Sequence, residues 1–276
     1  MNILSLFDGI SCARVALDVA SISVNKYYAC EIEKNAMKVS KKNYPDIISL
    51  GSVIDFNKDM IKEPIDLLIG GSPCQDLSIA KKERKGLEGD RSSLFFEYVR
   101  IKNEMKPKYF ILENVASMRK EDRDIISGIM GVEPVMFNAS LVSAQTRKRY
   151  FWTNIQFDLP EDRGILLKDI LQADADVDER MVNKEGKAYV LTASYAGACE
   201  KNSVEKKQRT MVKFNETAHI RKLTPIECER LQSLPDDYTN RIAKTNRYKC
   251  LGNAFNVEVV AHILKSIPHD YLLKNC

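Results

Sequence analysis

Residues 4–13, Leu4-Ser5-Leu6-Phe7-Asp8-Gly9-Ile10-Ser11-Cys12-Ala13, decide how this chain folds. A short apolar run breaks at a glycine and passes into the start of an amphipathic stretch, the place where an α/β protein holds a nucleotide-like ligand. Outward from it the alternation repeats over the first 150 residues. Apolar runs predict strands at 3–7, 27–30, 47–50, 65–69, 109–113 and 134–138, and helical periodicity predicts helices at 12–20, 34–43, 93–104 and 122–129. Strands alternating with helices imply a doubly wound α/β domain with a mostly parallel sheet, whose ligands sit beyond the carboxyl ends of the strands.

From 155 to 218 the pattern weakens into polar, Lys/Asn-rich sequence with one short helix expected at 166–171, which reads as a small, irregular lobe of loops and short strands. Periodicity then returns. Residues 224–232 carry a helix start, with Thr224 as N-cap, Pro225 at the first position and Glu227 three residues after the cap. Residues 257–267 form an apolar helix expected to pack back on the first domain. The expected division is a first domain over 1–154, a lobe over 155–218 and a returning segment over 219–276.

Composition narrows the chemistry. A chain of 276 residues, 44% hydrophobic and 29% charged, reads as globular. No apolar run approaches the roughly 20 residues that cross a bilayer, and no basic region precedes the first apolar stretch, so a cytoplasmic protein is expected. Cysteines at 12, 30, 74, 199, 228, 250 and 276 form an odd set without a Cys-x-x-Cys pair, which argues against a disulfide framework or zinc ribbon. Histidines at 219, 262 and 269 have no neighbouring candidate ligands, so neither a metal centre nor a histidine-based hydrolase is expected. The net charge of +4 decides nothing, but 201–213 holds five basic residues against one acid, and 241–249 holds Arg241, Lys244, Arg247 and Lys249 with no acid. Taken alone, such runs are as often solvated faces as nucleic-acid contacts.

Four places can carry chemistry. The turn at Gly9 lacks G-x-G-x-x-G, which argues against a pyrophosphate-bearing cofactor and a nicotinamide oxidoreductase. Glu31 ends the second strand where such domains keep the carboxylate that grips ribose hydroxyls. Together they favour a nucleoside cofactor without pyrophosphate, which S-adenosylmethionine fits. Cys74 follows the strand at 65–69 in the loop Gly70-Gly71-Ser72-Pro73-Cys74-Gln75. A thiol with a pKa of about 8.5 needs backbone N–H groups or a nearby cation to attack as thiolate. Glu113 ends the strand at 109–113, in the same crevice, where it can hydrogen-bond a ring nitrogen. In 145–150 alternation puts Arg147 and Arg149 on one strand face.

These blocks resemble a known family. Phe7-x-Gly9, Pro73-Cys74-Gln75, Glu113-Asn114-Val115, Gln145-x-Arg147-x-Arg149, the run from Arg221 to Gln232, and Gly252-Asn253-Ala254 are similar, in order and spacing, to the conserved blocks of the C5-cytosine DNA methyltransferases. The surroundings of Cys74 look most like the mammalian de novo enzymes, and the compact length resembles bacterial or phage ones. The resemblance implies the fold of the S-adenosylmethionine-dependent methyltransferases, and a covalent adduct of Cys74 with carbon 6 of an extruded cytosine in duplex DNA. It implies Glu113 on N3, Arg147 near O2 and Arg149 in support. For the cofactor it implies Phe7, Asp8, Gly9, Ile10, Ser11 and Cys12 around the methionine end, with Glu31 on the ribose. Ser52 and Val53 fall near the adenine, and Pro73, Asn253 and Ala254 complete the pocket. Ser11 and Ser52 stand where relatives often have glycine and aspartate.

Residues 75–92 read as a mobile lid whose Gln75, Lys81, Lys82, Arg84 and Arg91 meet DNA, while Lys207 and Arg209 belong to the lobe that reads bases. A monomer or weak dimer without metal or membrane contact is expected, and the resemblance to restriction-modification enzymes admits a partner endonuclease. Two rivals remain: a tRNA cytosine-5 methyltransferase and a non-catalytic DNA-binding subunit.

Overall fold

The computed structural model describes residues 1–73, 94–214, 217 and 219–268. The elements run β1 (Asn2–Leu6), α1 (Cys12–Val19), β2 (Lys26–Cys30), α2 (Lys34–Asn43), β3 (Ile48–Gly51), β4 (Leu67–Gly70), α3 (Leu94–Met105), β5 (Tyr109–Val115), α4 (Lys120–Met130), β6 (Val135–Asn138) and β7 (Lys148–Thr153). The smaller part follows as β8 (Ala175–Val177), α5 (Glu200–Val204), β9 (Met211–Phe214) and β10 (Ile220–Lys222). The chain closes with α6 (Pro225–Leu231), α7 (Lys244–Asn253) and α8 (Val257–Leu264).

Seven strands form one sheet in the order β3-β2-β1-β4-β5-β7-β6, parallel except where β7 inserts antiparallel between β5 and β6. Strand order reverses between β1 and β4, so the loops after these two strands open a crevice at the switch point. The central strands are buried on both faces, and their side chains divide accordingly. Ile3, Leu67, Ile69 and Ile111 enter one apolar layer with α1 and α8. Leu4, Leu68, Phe110 and Leu112 enter the other with α3, α4 and Trp152.

The sequence pattern places a basic strand at 145–150. The strand begins instead at Lys148, which leaves Arg147 outside it, because the Arg147 N–H bonds the Asn138 side chain at 2.9 Å rather than a strand partner. α7 was legible only as a basic run, since its buried Tyr248, Cys250 and Leu251 hardly stand out from its polar side chains. The capped helix at 224 holds: Thr224 Oγ1 accepts the Glu227 N–H at 3.2 Å, and Glu227 Oε2 accepts the Thr224 N–H at 2.7 Å. In the small lobe β8, β9 and β10 form an antiparallel sheet whose third strand comes from beyond residue 218. Among the described residues no helix is long and apolar enough to cross a membrane.

Candidate active site

The loops after β1 and β4 meet in a cavity of ≈ 240 Å³. The β1 loop is wound tightly. Phe7, Gly9 and Ser11 take φ values of 56°, 60° and 61°, a left-handed conformation that strains every residue but glycine. The strain is held by specific bonds. The Asp8 N–H reaches the Cys30 carbonyl at 3.1 Å, and the Tyr238 hydroxyl donates to the Ile10 carbonyl at 2.7 Å. The Asp8 carboxylate accepts the Ser11 hydroxyl and, at 2.6 Å, the Tyr27 hydroxyl. Burial pushes the Asp8 carboxyl upward from its ordinary value, and these hydroxyls pull it part of the way back.

Glu31, just past β2, closes the turn from the side. Its Oε2 accepts the Gly9 N–H and its Oε1 the N–H groups of Ile32 and Glu33, each at 2.8 Å. A carboxylate has about four acceptor sites, so Oε2 keeps one for a hydroxyl. The Glu33 side chain caps α2 through the Ala36 N–H and faces the same cavity. Asp8, Glu31 and Glu33 give this end a negative lining, which suits a cationic sulfonium and ammonium and disfavours a pyrophosphate. The donor set therefore fits S-adenosylmethionine.

At the other end stands Glu113 on β5. Its Oε1 lies 2.7 Å from Arg149 Nε, on the neighbouring β7, and both side chains are largely buried. Its Oε2 approaches the bare face of Gly71, where a Cβ would sit 2.9 Å from it and 3.0 Å from the Phe255 ring. Asn114, next on β5, points away from Glu113 and donates to the Ser72 carbonyl at 3.4 Å and the Ser72 hydroxyl at 3.2 Å. It thereby ties the loop that leads to Pro73. Arg147 is spent differently: its guanidinium donates to the carbonyls of Leu191 (2.8 Å), Gly252 (3.2 Å) and Ala254 (2.8 Å). It pins the C-terminal segment to the sheet, and Arg149 holds the place at Glu113.

The cavity thus gathers Phe7, Asp8, Gly9, Ile10, Cys12, Glu31, Pro73, Glu113, Arg147, Arg149, Asn253 and Ala254. Three residues assigned to the cofactor do not line it. The Ser11 hydroxyl is turned inward to Asp8, Ser52 Oγ accepts the Ile54 N–H at 3.2 Å, and Val53 packs into the core. Lys207 and Arg209 lie in the lobe, away from the cavity. Lys207 donates to the Arg180 carbonyl at 3.1 Å, and Arg209 to the Gly197 carbonyl at 3.0 Å and to Ser194 Oγ at 2.9 Å. Cys74, Gln75, Lys81, Lys82, Arg84 and Arg91, with the lid expected at 75–92, lie outside the described residues.

Sequence reasoning missed Lys249, Cys250 and Phe255 in the wall. The block Gly252-Asn253-Ala254 lies between them and was the available signal. Burial pushes the Cys250 thiol up to about 12, with Glu33 adding to the effect, which favours the neutral thiol over the thiolate. Among the described residues no group of three or more His, Cys, Asp or Glu side chains could hold a metal ion.

Comparison with known proteins identifies the family of the chain. The family model for C-5 cytosine-specific DNA methylase matches residues 1–182 and 177–269. The type II methyltransferase M.HhaI of Haemophilus parahaemolyticus is 26% identical over 321 residues, covering 97% of this chain and 94% of its own. The orphan methyltransferase M.SPRI of Bacillus phage SPR is 32% identical over 188 residues, covering 62% and 42%. The crystal structure of the Dnmt2 methyltransferase of S. pombe superposes with a TM-score of 0.69 at 17% identity, covering 100% of this chain and 99% of that one, which shows a shared fold.

Proposed function

The chain belongs to the C-5 cytosine-specific DNA methylase family, and from that premise we propose that it methylates cytosine in duplex DNA through a Cys74 adduct formed beside Glu113 and Arg149. The single observation that carries the assignment of residues is the Glu113–Arg149 pair at the wall that Pro73 shares, one residue before Cys74.

Carbon 5 of cytosine is too weak a nucleophile to accept a methyl group directly. Attack of the Cys74 thiolate on carbon 6 makes the ring an enamine, provided that charge growing on N3 is met by a hydrogen bond. Glu113 meets it once it carries a proton, its Oε2–H donating to N3 while Oε1 stays with Arg149. Arg149 rather than Arg147 is then the guanidinium nearest the base, since the donors of Arg147 are committed to carbonyls. S-adenosylmethionine, when bound, supplies the electrophilic methyl that carbon 5 takes. Glu31 would hold the ribose, and Asn253 and Ala254 line the same cavity. Loss of the carbon 5 proton and expulsion of Cys74 restore the aromatic ring. The target base must leave the helix first, at a cost of a few kcal/mol.

The test is incubation of the protein with tritiated S-adenosylmethionine and either duplex DNA or total tRNA. Labelled DNA is expected, with Cys74→Ala abolishing transfer while cofactor binding persists. Label in tRNA alone refutes the DNA substrate, and activity retained by Cys74→Ala refutes the adduct.

A further inference from the structure

Two lysine- and arginine-bearing segments far apart in sequence, 34–42 and 241–249, converge on one outer face. Lys34, Met37, Lys38, Lys41 and Lys42 of α2 line an open groove of about 570 Å³ together with Arg241. α2 packs on α7, which adds the exposed Lys244 and Lys249. Lys34, Lys38 and Lys41 recur at steps of four and three, so they form one row along the helix. Among the described residues the side chains of Lys34, Lys38, Lys41 and Arg241 have no ion-pair or hydrogen-bond partner. Lys42 differs, because its amine donates to Asn240 Oδ1 at 2.7 Å and to the Asp237 carbonyl at 3.3 Å. No acid lines the groove, and the nearby Asp237 carboxylate is turned to Arg247 at 3.6 Å.

Crowding of this kind works against α2. Lys34, beside the Glu33 cap, sits in the first turn where the helix dipole repels a cation, while Lys41 and Lys42 fall in the last turn, which the dipole favours. Lys38 faces Lys34 and Lys42 at four residues and Lys41 at three, spacings at which like charges repel. A merely solvated face gains nothing from such crowding, whereas a polyanion neutralises all of it. The row also begins at the reaction site, since Glu33 and Ala36 at one end of α2, and Lys249 of α7, line the cavity.

We infer that the groove of α2 and Arg241 binds the sugar-phosphate backbone of duplex DNA flanking the target cytosine, an inference that rests on the DNA-methylating function proposed above. Ten residues at about 1.5 Å each make α2 roughly 15 Å long, the rise of about four phosphates along one strand. The contact is independent of sequence and extends the footprint beyond the small lobe.

The experiment replaces Lys34, Lys38, Lys41 and Arg241 together by Gln. Binding is measured by fluorescence anisotropy on a short duplex limited to the target and on a long one, between about 50 and 200 mM salt. Each lost phosphate contact lowers the slope of log K against log salt by about 0.9, so the variant should lose about 3.6 on the long duplex. Its affinity there should fall about tenfold or more, uniformly across sequences, with S-adenosylmethionine affinity and transfer to the short duplex unchanged. An unchanged slope in a variant whose parent binds and methylates duplex overturns this inference alone. A parent that neither binds nor methylates duplex overturns the function on which it rests.

Discussion

Replacing Gly252 by alanine tests how the C-terminal segment is held against the cavity. In an unconstrained helix interior this change is favourable by about 1 kcal/mol, because alanine loses less backbone entropy than glycine. Gly252 is not unconstrained. A Cβ there would lie 2.1 Å from the Thr192 carbonyl carbon, 2.2 Å from the Ala193 nitrogen and 2.4 Å from the Thr192 oxygen, all backbone atoms. Reaching an ordinary separation of about 3.5 Å requires α7 and the 192–193 loop to part by about 1.4 Å. Arg147 bridges this very seam, through the carbonyls of Leu191 on one side and Gly252 and Ala254 on the other, so the shift stretches its bonds as well. Overpacking costs about 1–3 kcal/mol and a weakened bond from a charged donor about 1.5–3, which leaves a net loss of about 3 kcal/mol after the helix gain. At about 2–4 °C per kcal/mol the melting temperature should fall by roughly 6–12 °C. Gly128 supplies the control. It lies exposed within α4, and a methyl added there would meet nothing within 4 Å, so Gly128→Ala should raise stability by about 0.5–1 kcal/mol. Differential scanning calorimetry of both variants, with calorimetric titration of S-adenosylmethionine, reads the outcome. A Gly252→Ala protein that melts at or above the parent temperature with undiminished cofactor affinity refutes the reasoning.

Gly71→Ala should behave differently, because the methyl meets the side chains of Glu113 and Phe255 rather than backbone; methyl transfer should fall by about 10²-fold while melting shifts less than for Gly252→Ala, and undiminished turnover argues against Glu113 at the base. Cys250, with its thiol pushed up to about 12 by burial, should resist iodoacetamide at pH 8 while the exposed Cys199 reacts, and peptide mapping before and after denaturation distinguishes them. Asp178 should carry a pH signature. Arg180, at 2.8 Å, holds its carboxyl below the ordinary 3.8, so its stabilisation is present above that value and fades as pH falls through the lowered one. Asp178→Asn should therefore melt lower than the parent at pH 7, with the gap narrowing below about pH 4; a gap independent of pH excludes the ion pair as its source.

What the sequence determined by itself is local. Unbroken apolar runs mark β1, β4 and β5 because a strand covered on both faces has no polar side, and Thr224-Pro225 with Glu227 marks α6 because each residue answers an orphan group of the first turn. The order of motifs was equally legible, and with it the family. Partnership across the fold was not. Arg147 and Arg149 read alike, two residues apart, yet one is bound to three carbonyls of segments brought together from 191, 252 and 254, and the other to Glu113. The left-handed Phe7 and Ser11, the closure of the cavity by Cys250 and Phe255, and the meeting of Lys38 with Arg241 are likewise decided only in three dimensions. The physical reason is that propensity and capping act over a few residues, whereas the partner of a buried charge is set by chain segments that only the packed core brings into reach.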